Sequence, residues 1–231
     1  GSAGSGKTTV ALHRIAYLAY QGPHEFPTNR VLVVVWGRAM RDYVAHVLPA
    51  LGVKGVHVTT WNKWARQNVI RHLPLLPRAL AEDTPEPASR IKLHTGMTAL
   101  LETHIRNTPG RARPEQVIED WAQVITDRQG IRDAIGDDIS PEALDRAIEW
   151  TTAQSSEVLA WIEDPDRRKG RSDADPDPRL DPEDYALLLR AWQLRIGRLT
   201  GRNKKALKHV HIVLDEVQDF SPVEVQVLLD T

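Results

Sequence analysis

The first eight residues of the chain carry the residue types and spacing that bind phosphate. Gly1 to Thr8 match the pattern G-x-x-x-x-G-K-[ST] at every fixed position. Glycines permit positive φ and close backbone approach, so consecutive N–H groups can point at a phosphate. Lys7 would reach the β- and γ-phosphates of ATP, and the Thr8 hydroxyl is a hard oxygen ligand for Mg²⁺. The pattern predicts an ATP- and Mg²⁺-binding loop made of Gly1, Ser2, Ala3, Gly4, Ser5, Gly6, Lys7 and Thr8.

Two adjacent carboxylates near the end of the sequence could complete this chemistry. Asp215 and Glu216 follow an apolar run, residues 211–214, that is typical of a buried strand. Doubly wound sheets bind ligands beyond the carboxyl ends of their strands, so we expect Asp215 to hold Mg²⁺ through water. Glu216 is the natural general base for the water that attacks the γ-phosphate. Together with the loop, the pair indicates ATP hydrolysis, with Thr8, Asp215 and Glu216 as the metal site.

Alternating helices and strands would position these residues. Apolar residues recur at helical spacing over residues 7–20, and a continuous β-branched run at 31–36 is typical of a strand buried on both faces. A helix over 39–51, a strand near 56–60 and a helix from about 62 follow. This alternation predicts an α/β fold with a parallel sheet.

The middle of the sequence differs from both ends. Residues 67–206 contain no convincing strand, and Ser140 and Asp181 each precede a proline as a helix N-cap does. Residues near 164–180 are rich in Pro, Asp and Arg, which predicts a mobile loop. The strand pattern returns at 209–214, and a capping box from Ser221 to Glu224 opens a last helix. We predict one α/β domain, residues 1–66 and 207–231, interrupted by a mostly helical insertion, residues 67–206.

The composition of the chain excludes some classes of protein. The chain has 231 residues, 41% of them hydrophobic, and no cysteine, so disulfides and thiolate metal sites are excluded. The sequence shows neither a leader nor an apolar run of membrane-spanning length, so we expect a cytoplasmic protein without a membrane partner. Residues 1–64 carry seven Lys/Arg and two Asp/Glu. Such a basic surface suits phosphates, although an uneven solvated surface explains it equally well.

The sequence resembles superfamily-one helicases of the UvrD/Rep type, and most closely HelD-like and UvrD-like N-terminal sequences. Asp215-Glu216-Val217-Gln218-Asp219 is similar to their motif II, and residues 4–16, including Thr9, to motif I and its helix. The resemblance covers 1–65 and 207–231. It implies a P-loop NTPase of RecA-like fold, motor domain 1A, in which 67–206 occupy the place of the helical subdomain 1B. It also adds Thr9 to the ATP-binding residues.

The resemblance implies further site residues. Thr60, Trp61 and Asn62 lie where motif Ib touches single-stranded DNA, and we expect the Trp61 ring to face the nucleic-acid channel. Arg38 lies at the motif Ia position and could contact a phosphate, but its segment departs from the usual Thr-Asn-Lys. Gln218 would couple the γ-phosphate site to the nucleic-acid site, which makes Glu216, Lys7 and Gln218 the predicted catalytic residues. Core packing remains the alternative for Trp61 and for Trp36.

Three functions are compatible with these motifs. The first is an ATP-dependent helicase or translocase on single-stranded DNA, with a second motor domain in a longer parent chain. The second is a HelD-like ATPase that remodels RNA polymerase complexes. The third is a truncated fragment without activity of its own, because a phosphate-binding loop is normally preceded by a buried strand. An ABC-type ATPase is disfavoured because no Leu-Ser-Gly-Gly-Gln signature precedes Asp215.

Overall fold

A computed structural model of the protein describes residues 6–164 and 177–231. Residues 1–5 of the predicted phosphate-binding loop, and residues 165–176 of the predicted mobile loop, lie outside the described residues. The described chain divides into two compact units. We call them the sheet unit, which comprises residues 6–64, Thr200–Phe220 and Thr231, and the helical unit, which comprises Ala65–Leu199 and Ser221–Asp230.

Helices dominate the described chain. Its elements in order are α1 (Lys7–Gln21), β1 (Val31–Val35), α2 (Arg38–Ala50), β2 (His57–Thr60), α3 (Trp61–His72), β3 (Ala79–Leu80), α4 (Glu86–Leu93), α5 (Thr95–Asn107), α6 (Pro114–Thr126), α7 (Arg128–Ile135), α8 (Pro141–Glu163), β4 (Arg179–Leu180), α9 (Asp184–Arg195), β5 (His211–Leu214) and α10 (Pro222–Leu229). Short 3₁₀ turns precede β1 and follow β5 at Thr28–Arg30 and Val217–Asp219.

A three-stranded parallel sheet with the order β2-β1-β5 forms the centre of the sheet unit. Val35 pairs with Thr60 of β2, and Val34 with Leu214 of β5, so the three strands end at the same edge. All five β1 residues are buried, and Val31, Val33 and Val35 pack in one cluster with apolar side chains of α1 and α2. The predicted α/β class and the doubly buried central strand are confirmed.

The helical unit contains structure that the sequence did not predict. β3 and β4 are two-residue strands that pair in parallel, although no strand was expected between 67 and 206 and Arg179–Leu180 was assigned to a loop. Strands of this length show no periodicity that could reveal them. The last helix, α10, belongs to the helical unit and packs on α9 and α5, whereas the sequence placed 207–231 entirely in the sheet domain.

Two of the three predicted helix caps are present. The Ser140 side chain accepts a hydrogen bond from the Ala143 N–H, and Ser221 and Glu224 form the reciprocal capping box of α10. The Asp181 prediction is wrong, because α9 begins only at Asp184.

A buried charged cluster explains why Asp181 does not cap a helix. The Lys92 ammonium lies 2.5 Å from an Asp181 carboxylate oxygen and 2.7 Å from an Asp184 oxygen, and all three side chains are fully buried. The indole N–H groups of Trp150 and Trp121 donate to Asp181 and Asp184 respectively. Burial raises the pKa of Asp184. The cluster joins α4, α6, α8 and α9 in the core of the helical unit.

Among residues 6–164 and 177–231, no helix combines the length and apolar character needed to cross a bilayer.

Candidate functional site

Two predicted magnesium ligands meet at the carboxyl edge of the sheet. Asp215 directly follows β5, and its N–H donates to the Val34 carbonyl of β1. Thr8 lies in the first turn of α1, and its hydroxyl donates a 2.7 Å hydrogen bond to the Asp215 carboxylate. These residues are 207 positions apart in the sequence. The fold therefore brings together a hydroxyl and a carboxylate oxygen, both of which are hard oxygen ligands.

The start of α1 has the backbone geometry of an anion site. Gly6 precedes the helix with φ +77°, a left-handed conformation that disfavours residues with a Cβ. Among the described residues no side chain caps this helix, and its first turn contains no acidic residue. The first N–H groups of a helix lack partners within the helix and carry its positive dipole end. An anion such as a phosphate suits this position.

Lys7, Glu216 and Gln218 lie side by side. The Gln218 amide donates a 2.7 Å hydrogen bond to the Glu216 carboxylate, and the Lys7 ammonium is 3.9 Å from the same oxygen, Oε2. Because the Lys7 and Glu216 side chains are both substantially exposed, water screens this ion pair, which leaves it easy to separate. The structure therefore brings the three predicted catalytic residues to one place.

Glu216 has an unusual backbone conformation. Its φ of 53° and ψ of 55° lie in the left-handed region, which is uncommon for a residue with a side chain. The chain turns sharply there, and the following 3₁₀ turn returns Gln218 to the Glu216 carboxylate. Backbone strain of this kind concentrates at functional sites. Sequence reasoning did not predict this conformation, and no glycine or asparagine marks it.

A cavity of about 330 Å³ opens beside these residues. Lys7, Thr8, Asp215, Glu216 and Gln218 supply its polar lining. Apolar side chains of α1, α2, the strands and the 3₁₀ turn after β5 supply the rest. This volume is within the range of small-molecule sites, which are mostly apolar with a few convergent polar groups.

The ligands at this edge fit a magnesium ion that shares its coordination with a substrate. The described residues contain no group of three or more His, Asp or Glu that could enclose a metal ion. Mg²⁺ usually keeps several waters and is bound by one or two protein oxygens together with substrate phosphates. Thr8 and Asp215 offer such a set. Glu216, the third predicted metal residue, is hydrogen-bonded to Gln218 instead.

The expected exposure of Trp61 is wrong. Trp61 is the first residue of α3, and only 4% of its surface is exposed. Its ring stacks on Trp64, one helical turn later, with the ring centres 5.6 Å apart. The Trp61 ring is therefore not available to stack on a base, and the packing alternative describes it better.

Trp36, rather than Trp61, is the exposed tryptophan at this edge. It follows β1, is 61% exposed, and meets the buried Phe220 ring edge-on at 6.1 Å. Arg38 begins α2 and Asn62 lies in the first turn of α3, and both are exposed, while Thr60 at the end of β2 is half-buried. The sequence signal for this exposure is the position of Trp36 directly after the apolar run of β1, where the chain leaves the sheet.

No family model matches this chain. A search of curated proteins likewise gives no match.

Proposed function

We propose that this protein binds ATP with Mg²⁺ at the carboxyl edge of the sheet and hydrolyses it, as the motor part of a DNA helicase or translocase acting on single-stranded DNA. The observation that carries the proposal is the Thr8–Asp215 hydrogen bond, because it joins the two motifs that the chemistry requires. A P-loop NTPase fold of RecA-like type is part of the proposal. The parallel sheet, with α1 beginning beside the end of β5, supports it.

Each residue of the site has a distinct task in this reaction. Lys7 and the N–H groups at the start of α1 neutralise the β- and γ-phosphate oxygens. Thr8 and Asp215 would hold Mg²⁺, which supplies further charge neutralisation on the phosphates when bound. Glu216 accepts a proton from the attacking water, whose oxygen bonds to the γ-phosphorus. The bond from that phosphorus to the bridging oxygen breaks, which releases ADP and phosphate.

ADP release from ATP by the purified protein, with and without single-stranded DNA, tests the proposal. Lys7→Ala should abolish turnover because it removes the positive charge that neutralises the phosphate oxygens. Glu216→Gln should keep ATP binding and lower turnover by at least about a hundredfold, since only the base is lost. Matched controls are Lys54→Ala and Glu25→Gln, which change exposed residues outside the site.

The outcomes separate the alternatives. Turnover that survives Glu216→Gln would refute the assignment of the base. ATP hydrolysis that single-stranded DNA does not stimulate would favour a remodelling ATPase with a protein partner. ATP binding that Lys7→Ala leaves unchanged would refute the nucleotide site itself.

A further inference from the structure

A strongly basic turn precedes β5, at the opposite end of that strand from Asp215. The stretch Thr200–Lys208, which we call the basic turn, contains four cations: Arg202, Lys204, Lys205 and Lys208. Asp184 and Asp215 are the nearest acidic residues before and after it in the sequence. All four cationic residues are exposed, and none forms an ion pair with a carboxylate of the described chain.

Hydrogen bonds hold the basic turn in a defined shape. The Gly201 N–H donates to the Lys205 carbonyl at 2.8 Å, and the Lys204 N–H donates to the Gly201 carbonyl at 3.0 Å. The Asn203 side chain accepts from the Lys205 N–H, and Thr200 pairs with Ala206 in an antiparallel bridge. The four cations therefore project from an ordered backbone rather than from a random tail.

Lys204 has a left-handed backbone conformation, which is uncommon for lysine. Its φ is +60°, in the left-handed region that glycine and asparagine adopt with less strain. Lysine at this position places an ammonium group at the tip of the turn at the expense of local stability. Backbone strain retained at an exposed tip points to a role in binding.

The edge of the sheet beneath the basic turn adds positive charge. The Arg30 guanidinium donates to the Lys208 carbonyl at 2.8 Å, which holds a fifth cation beside the turn. Burial, with electrostatic repulsion from His57 and Arg30, lowers the pKa of His209 to about 4, so this imidazole is neutral near pH 7 and adds no charge. β5 has four residues, so it separates this end from Asp215 by about 13 Å. The cations of the basic turn thus lie outside the proposed ATP site.

We propose that the basic turn binds the phosphodiester backbone of a nucleic acid, at a surface separate from the ATP site. Several cations held on one ordered turn can contact successive phosphates, and lysines do so as point charges without reading the bases. A membrane surface fits less well, because insertion requires large apolar side chains beside the cations, and Ala206 is the only exposed apolar residue of the turn. This proposal deepens the proposed function, because it assigns a contact surface to the nucleic-acid partner, but it does not rest on ATP hydrolysis.

Fluorescence anisotropy with a labelled oligothymidylate of about 20 nucleotides, without ATP, tests this surface. The turn variant combines Arg202→Gln, Lys204→Gly, Lys205→Gln and Lys208→Gln. Its matched control, Arg90→Gln, Arg106→Gln, Arg111→Gln and Arg146→Gln, removes equal charge from exposed arginines of the helical unit. Each phosphate contact contributes about 0.7 to the slope of log affinity against log salt for single strands. We expect the turn variant to lose about 3 from this slope and more than tenfold in affinity at about 100 mM salt, while the control stays within about twofold of the unsubstituted protein.

The single variant Lys204→Gly tests whether a loss of oligonucleotide binding is caused by unfolding. Glycine suits the left-handed conformation, so the thermal midpoint should not fall, while the slope should decrease by about 0.7. Equal losses in the turn variant and its control would show a mere net-charge effect and refute the proposal. Unchanged binding by the turn variant would also refute it.

A competition measurement identifies the class of partner. Unlabelled oligothymidylate should displace the probe, and polyglutamate of equal charge should not. Equal displacement by polyglutamate would assign the surface to an acidic protein and overturn the nucleic-acid assignment. ATP hydrolysis is measured on the same variants, and the turn variant should keep the unstimulated rate. Loss of oligonucleotide binding in the turn variant, combined with absent hydrolysis in every protein, would refute only the proposed function.

Discussion

Replacing Lys92 by methionine tests the buried charged cluster of the helical unit. The ammonium lies within 2.7 Å of both Asp181 and Asp184, and no water reaches the three side chains. Methionine fills a similar volume but leaves two carboxylates in the core without their cation. Breaking a buried ion pair in this way destabilises a protein by about 3–5 kcal/mol. This is a large part of the roughly 5–15 kcal/mol that holds a domain together.

The expected loss depends on pH in a defined direction. Burial raises the pKa of Asp184, so folding favours its protonated form, and its destabilising effect grows as pH rises above the ordinary value of 3.8. Without Lys92 this effect is larger, so the loss in Lys92→Met should be greatest near pH 7 and should shrink as pH falls toward 4.

Urea unfolding at several pH values measures this effect. Lys54→Met, a change at an exposed lysine, is the matched control and should alter the free energy of unfolding by less than about 0.5 kcal/mol. Lys92→Met combined with Asp181→Asn and Asp184→Asn should recover much of the loss, because no buried charge then remains. A loss below about 1 kcal/mol for Lys92→Met, or one that grows in acid, would refute the reasoning.

Three further outcomes follow from single residues. Trp61→Ala should lower the free energy of unfolding by about 3–5 kcal/mol, whereas Trp36→Ala should change it by less than about 1 kcal/mol, which urea unfolding measures. Folding favours neutral His209, so stability should decrease as pH falls from 6.5 to about 4. Partial exposure reduces that decrease to roughly 1–2 kcal/mol, and His209→Gln should remove it, as acid unfolding curves would show. Glu216→Gly should raise the unfolding midpoint by relieving about 1 kcal/mol of left-handed strain, and it should abolish the proposed ATP turnover. An unchanged or lower midpoint would contradict this prediction.

Features with a local origin could be predicted from the sequence. The period of α1, the buried β1 and the capping box of α10 each depend on residues only a few positions apart. Thr8 and Asp215 are distant in sequence, yet their contact was foreseeable because two motifs with one shared chemistry specify it.

Features decided by distant partners could not be predicted. Asp181 precedes a proline as an N-cap does, but Lys92, 89 positions earlier, takes its carboxylate. Trp36 and Trp61 each directly follow a strand, so the local sequence does not distinguish them. Tertiary packing makes Trp61 buried and leaves Trp36 exposed. The left-handed conformation of Glu216 has no residue signature at all.

The insertion of residues 65–199 of the helical unit between β2 and β5 has a consequence for the order of folding. Val31 and His211 are neighbours in the sheet but 180 positions apart in the chain. Closing a flexible loop of that length costs about 4–5 kcal/mol in chain entropy. Helices α4 to α9 of this insertion pack on one another, so they can form first and shorten the loop before α10 completes the helical unit. We therefore expect β5 to join β1 late, after the ribosome has synthesised the whole insertion, and the proposed ATP site to be assembled in that step.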